Sequence, residues 1–161
     1  MTNEPVSFGI IDCAQDPRLH DLVSAAPSSI CLFKGKDLAP EVKQAAPWLV
    51  RLDPGSQVLN LWQQHGRTAN WGIMAWSTSP IEQLQRHFRR FLQAKLPDGM
   101  IVLFRFYDPR VFNTYLRAAT PEERMPWFAE VVQFAAEPAG DVVHHFRMHE
   151  GRLYDRAELV G

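Results

Sequence analysis

The chain has 161 residues, 46% of them hydrophobic, and a formal net charge of -1. Folding at that length buries roughly 70% of the unfolded surface, enough for one core, and the composition argues against disorder and against a nucleic-acid partner. No apolar run approaches the ~18 residues that span a bilayer, and Met1-Thr2-Asn3-Glu4-Pro5 lacks the pattern of a signal peptide, so a cytoplasmic domain is expected. Cys13 and Cys31, without a secretion signal, read as reduced, small buried hydrophobes.

Strand-like and helix-like segments alternate, which predicts a single α/β or α+β domain with a mostly β core flanked by helices. Ser7–Cys13 reads as a strand, and Asp16-Pro17 opens a helix with Leu19, Leu22 and Val23 inward. Ser29–Phe33 is a second short strand. Asp37–Ala46 is weakly helical and ends before Pro47. Trp48–Leu52 is a third strand, closed by the turn Asp53-Pro54-Gly55. Gln57–His65 is a short helix with Gly66 as its C′ residue, and Asn70–Ser77 a fourth strand.

The strongest helical periodicity spans Pro80–Lys95. Ser79 and Glu82 form an S-x-x-E capping box with Pro80 at N1. Ile81, Leu84, Phe88, Phe91 and Leu92 then make one apolar stripe, with Arg86 and Arg90 projecting from the other side. Pro97-Asp98-Gly99 turns the chain into Met100–Tyr107, whose only polar residue is Arg105. Such a run reads as a strand buried on both faces. Asp108 and Pro109 supply an N-cap and an N1 residue, so a helix begins near Arg110. A buried Arg105 requires a carboxylate partner. Asp108 is the first candidate; if it serves only as the cap, Glu82, Asp12 or another acid must take that place.

A second capping box, Thr120-Pro121-Glu122-Glu123, starts a further helix that Pro126 should kink or divide. The C-terminus is β-like: Asp141–His149, a tight Glu150-Gly151 turn, and a short return through Arg152–Tyr154. The expected organisation is a domain over residues 1–136, with a short β-rich tail over 137–161 packed on it. A hairpin at a chain end tends to form a sheet edge that can accept a partner strand. Phe146, Met148 and Tyr154 would then be apolar anchors with His145 and Arg147 at the rim; alternatively, the hairpin covers the core.

No catalytic signature is present: neither G-x-S-x-G, a P-loop, G-x-G-x-x-G nor H-E-x-x-H occurs. Phe33-Lys34-Gly35-Lys36 lacks the preceding glycine of a phosphate cradle. His144, His145 and His149 suggest a metal cluster. On a strand, however, His145 and His149 share a face with Arg147 between them while His144 points away, so neither metal nor cofactor is expected. His87 lies at the edge of the apolar stripe and reads as a satisfied core histidine. A Ser77–His87–Asp108 triad has no support in spacing. Between residues 81 and 124, eight Lys/Arg face five acids, an excess too small for a nucleic-acid footprint; it reads first as a solvated helix face with one structural buried pair, and alternatively as a face near Arg86 and Arg90 on which an acidic protein patch docks.

These blocks together resemble the adaptor/chaperone family of bacterial type VI secretion systems, often called Tap or Tec proteins and first catalogued as a domain of unknown function. The resemblance runs through Ile11-Asp12-Cys13-Ala14-Gln15-Asp16-Pro17, Leu32-Phe33-Lys34-Gly35, Ala46-Pro47-Trp48-Leu49-Val50, Trp76-Ser77 and residues 82–92. It is strongest in Leu96-Pro97-Asp98-Gly99 leading into Phe104-Arg105-Phe106-Tyr107-Asp108-Pro109-Arg110-Val111. Membership implies a non-enzymatic protein that binds an effector and loads it onto the spike protein. The matched residues, Arg105, Tyr107, Asp108, Pro109, Arg110 and His87, are expected to be fold determinants rather than catalytic groups. Many members carry a sizeable C-terminal extension, whereas here about twenty-five residues follow Ala136, which bears on how much effector-holding surface is present. The competing classes are a small hydrolase with a pocket around His87, Arg105 and Asp108, and an immunity protein that neutralises a toxin.

Overall fold

The structure, a computed structural model, describes residues 3–33, 38–67, 69–137 and 142–159. In chain order these form β1 (Val6–Asp12), α1 (Leu19–Ser24), β2 (Ser29–Cys31), α2 (Pro40–Ala45), β3 (Pro47–Arg51), α3 (Gln57–Leu61), β4 (Gly72–Ser77) and α4 (Ile81–Arg89). There follow β5 (Gln93–Lys95), β6 (Ile101–Leu103), α5 (Pro109–Ala118), α6 (Pro121–Arg124), β7 (Gln133–Ala136), β8 (Val142–His149) and β9 (Arg152–Leu159). Seven strands make one sheet in the order β2-β3-β1-β4-β7-β8-β9, while β5 and β6 stand apart as a two-stranded ribbon. Every pairing is antiparallel, so of the two expected mixed classes the fold is α+β.

Alternation along β1 sends Phe8 and Ile10 to one face and Gly9 and Ile11 to the other. On the first face α4, α5 and the 3₁₀ turn Met125–Phe128 deliver Leu84, Phe88, Phe112, Leu116 and Trp127 into the main core. On the second, α1, α3 and the π-helical turn Trp62–Gly66 bury Leu19, Val23, Val58 and Trp62 against Ile11 and Val50. Gly9 has no side chain because Trp62 fills its place: a Cβ there would lie 2.7 Å from the indole. The second-face helices lie mainly over β3 and β1, reaching β4 at Met74. Met74 and Trp76 on β4 and Val143, His145 and Arg147 on β8 keep at least part of their surface exposed.

Four local expectations change. The long helix stops at Arg89, although Leu96 would continue its stripe, because Gln93–Lys95 pairs instead with Ile101–Leu103. Its N-cap is Pro80; Ser79 Oγ donates to Glu130 Oε2 at 2.5 Å and Gln83 Nε2 to the same oxygen at 2.8 Å, so a distant carboxylate supplants the local box. Met100–Tyr107 is not a strand buried on both faces: only Ile101–Leu103 is extended, and it lies outside the main sheet. Gly66 closes no α-helix; it ends a π-helical turn, and a Cβ there would lie 2.5 Å from Trp71 and 2.6 Å from Trp62. The Thr120 box forms as expected, with Pro126 dividing α6 from a 3₁₀ turn. Part of the Phe33–Lys36 segment and the Gly140-Asp141 start of the hairpin lie outside the described residues.

Candidate functional site

Asp12, at the end of β1, is the hub that fixes the Arg105 segment. Its carboxylate accepts from the Ala14 N–H at 3.1 Å, from Gln15 Nε2 at 3.0 Å and from Arg105 at 2.6 Å. The acid is buried, but its arginine is not: the Arg105 side chain is 49% exposed. The expected buried guanidinium is thus an exposed one reaching down to a buried carboxylate. Burial of the charge is avoided because β6 ends at Leu103 and the chain turns outward before Phe106 and Tyr107 enter the core. Asp12 raises the Arg105 pKa further, chiefly through the direct hydrogen bond. Burial, foremost, raises that of the Tyr107 hydroxyl.

Asp108 is consumed locally. It caps α5 by accepting from the Arg110 N–H at 2.9 Å, and its carboxylate receives the Arg110 guanidinium at 3.1 and 2.8 Å. Burial pushes its pKa up most strongly, but the combined Arg110 bonds outweigh it and hold the group below the usual carboxylate value. Pro109 occupies the first turn and is buried.

His87 is buried on α4. Its Nε2–H donates to the Trp127 carbonyl at 3.1 Å, and Nδ1 accepts from Arg90 at 3.2 Å. Burial, first, and the Arg90 charge lower its pKa against the opposing pull of the carbonyl, so the neutral ring is favoured. Arg86 on the same helix and Arg90 at its C-cap are exposed. Thus His87, Arg105 and Asp108 bond to three different partners: a core carbonyl, a β1 acid and a helix-cap arginine.

The β5–β6 ribbon is the feature that the sequence reading missed. Its turn is held by the Met100 N–H donating to Asp98 Oδ1 at 2.9 Å and by Gly99 at a φ of +87°. Pairing places Gln93 opposite Leu103 and Lys95 opposite Ile101 on one face. That face is solvent-exposed, with Ile101 62% and Leu103 49% accessible; at the turn next to it Met100 is 59% and Leu96 40% accessible. The ribbon is anchored through Phe104, whose ring meets Tyr115 at 5.1 Å and Trp127 at 6.3 Å. Asp98-Gly99 between residues able to pair was the available hairpin signal; the strong α4 stripe obscured it.

The C-terminal hairpin belongs to the main sheet. Phe134 pairs with Phe146, and the turn Glu150-Gly151 has positive φ at both positions, 49° and 75°, as a type I′ hairpin requires. The return strand extends to Leu159, well past Tyr154. Phe146 is fully buried, 6.0 Å from Phe112, and therefore cannot be an exposed partner anchor as first expected. Met148 is half-buried and Tyr154 exposed. His144 faces Asp155 at 3.2 Å, His145 faces Gln133 at 3.0 Å, and Arg117 on α5 also bonds Asp155, tying the hairpin to the helical layer.

The fold and these surfaces define a single α+β domain with exposed apolar side chains on the β5–β6 ribbon and exposed arginines on and beside α4. Matching the chain to known families gives a more particular result. The family described as a domain of unknown function, DUF4123, matches residues 7–125, so the chain belongs to it. That family is associated with type VI secretion adaptors. No curated protein and no solved structure matches. Among the described residues no helix is long and apolar enough to cross a membrane.

Proposed function

We propose that the chain is a cytoplasmic, non-enzymatic adaptor that binds a type VI secretion effector and carries it to the spike protein. The observation that supports this reading most is the β5–β6 ribbon. A small hairpin with Met100, Ile101 and Leu103 in water carries apolar surface that covering by a protein partner would stabilise. The ribbon lies inside the region matched to the family. The separate engagements of His87, Arg105 and Asp108 weigh against the hydrolase alternative, because each group is already used in holding the fold.

Co-expression with the effector encoded beside this gene tests the proposal. The pair should co-elute in gel filtration, and Ile101→Asp with Leu103→Asp should abolish co-elution while leaving the adaptor's own elution volume unchanged. Equal solubility and export of the effector in a strain lacking the adaptor would overturn the adaptor reading; an immunity role would appear instead as protection from the effector's toxicity without any effect on its export.

A further inference from the structure

The main sheet ends in β2 on one side and β9 on the other, and the two edges are finished differently. We infer that β9 is a docking edge, where an extended segment of a partner protein, rich in β-branched residues, adds as the sheet's next strand. The inference rests on the adaptor reading for there being such a partner, but the edge's chemistry can be tested without it.

Side chains of α4 close the β2 edge. The Arg51 N–H donates to the Ser28 carbonyl and the Leu32 N–H to that of Pro47, so Ser29, Cys31 and Phe33 turn their backbone groups away from β3. Gln85 Nε2 donates to the Cys31 carbonyl at 2.9 Å. Arg89 donates to the carbonyls of Leu32 at 2.9 Å and Phe33 at 3.4 Å. The positions that a further strand would need are thus occupied, along a strand of only three residues. Short, covered edges of this kind are how sheets avoid unwanted pairing.

The β9 edge is left open. Its two-residue type I′ turn makes His149–Arg152 a hydrogen-bonded pair, and such pairs recur at Arg147–Tyr154 and His145–Arg156. The residues between them, Leu153, Asp155 and Ala157, therefore turn N–H and C=O to the outside. Among the described residues no strand follows β9, and no side chain bonds the outward groups of Leu153 or Asp155. Asp155 bonds Arg117 and His144 through its carboxylate. The pairing with β8 runs over eight residues without a bulge, and the strand contains no proline, so the ladder is uninterrupted. What such an edge accepts is an extended backbone with a free N–H at every second residue. Tyr154, 53% exposed, and half-buried Leu153 favour β-branched side chains across from them. A second copy of the chain is a poorer occupant. The self-pairings with the longest overlap centre on Asp155 or on Arg156, and each sets like charges opposite one another.

The test uses the full-length chain, labelled with ¹⁵N, and a synthetic peptide of alternating Thr and Val as long as β9, beside the same peptide N-methylated throughout. The plain peptide should shift the amides of Leu153, Asp155 and Ala157 and slow their exchange with solvent. The N-methylated peptide, which cannot form the ladder, should do neither. Ala157→Pro removes one outward N–H but no bond to β8, so it should keep the melting temperature and weaken the plain peptide by roughly tenfold. Ala157→Val, which keeps the N–H, should bind as wild type does. Should a variant fail to fold, the two peptides still decide the matter. Equal responses to both peptides, no response to either, shifts confined to β2 or the ribbon, or a dimer that Ala157→Pro dissolves would overturn the assignment. Two results keep this separate from the adaptor reading. Effector and spike protein held equally by wild type and by Ala157→Pro disprove the docking edge alone; neither partner held, beside a normal peptide response, disproves the adaptor reading alone.

Discussion

The molecule contains two β-hairpins of opposite character. The β8–β9 hairpin continues the main sheet and puts Phe146 into the core against Phe112 and Phe134. The β5–β6 ribbon pairs only with itself and leaves Met100, Ile101 and Leu103 in water. An isolated two-stranded hairpin is marginal by itself, so the ribbon depends on its ends: Phe104 against Tyr115 and Trp127, and Arg105 on Asp12. The comparison separates residues whose apolar character serves folding from residues whose apolar character is left for a partner.

The largest expected effect breaks the integrated hairpin. Phe146→Ala should cost about 3–5 kcal/mol by leaving a cavity between Phe112 and Phe134, read as a lowered urea midpoint with an unchanged slope. Truncation at Gly140 should cause aggregation or early melting. A truncated protein that keeps its melting temperature and loses only the effector would return the hairpin to a purely interfacial role.

Loss of the ribbon's exit anchor comes next. Arg105→Ala removes one charged hydrogen bond from buried Asp12 but leaves the Ala14 and Gln15 donors in place, so a loss of about 2 kcal/mol is expected in chemical denaturation. A loss near 5 kcal/mol would mean that Asp12 has no adequate substitute donors.

A smaller, pH-dependent effect tests the Trp127 platform under the ribbon. Because the pKa of His87 is lowered on folding, the unfolded chain binds the proton more readily. The stability from the neutral ring is complete above the unfolded value of 6.5 and is lost as pH falls through the lower folded value. Melting temperatures across that range should decline with acid in wild type and less steeply in His87→Gln. Parallel curves would show that another group controls the acid limb.

The smallest effect on stability should come from the ribbon's own apolar face. Ile101→Lys with Leu103→Lys should change stability by no more than about 0.5 kcal/mol while removing effector capture. A large destabilisation would show that the ribbon, like β8–β9, belongs to the core.

Local signals in the sequence determined the elements whose rules concern neighbours in the chain. Asp108-Pro109 starts α5, Thr120 with Glu123 caps α6, and Glu150-Gly151 turns the last hairpin. Asp12 stood among the acids that could meet Arg105, but nothing in the sequence selected it; that pairing spans ninety-three positions. Tertiary structure alone decided that choice, as it decided that Glu130 rather than Glu82 serves Ser79. It also decided which apolar residues stay wet. Ile101 and Leu103 carry the same hydropathy as residues in the core, and Phe146 lies on a strand patterned like an exposed one. A side chain's burial depends on what the rest of the chain brings over it, and periodicity carries no information about that covering.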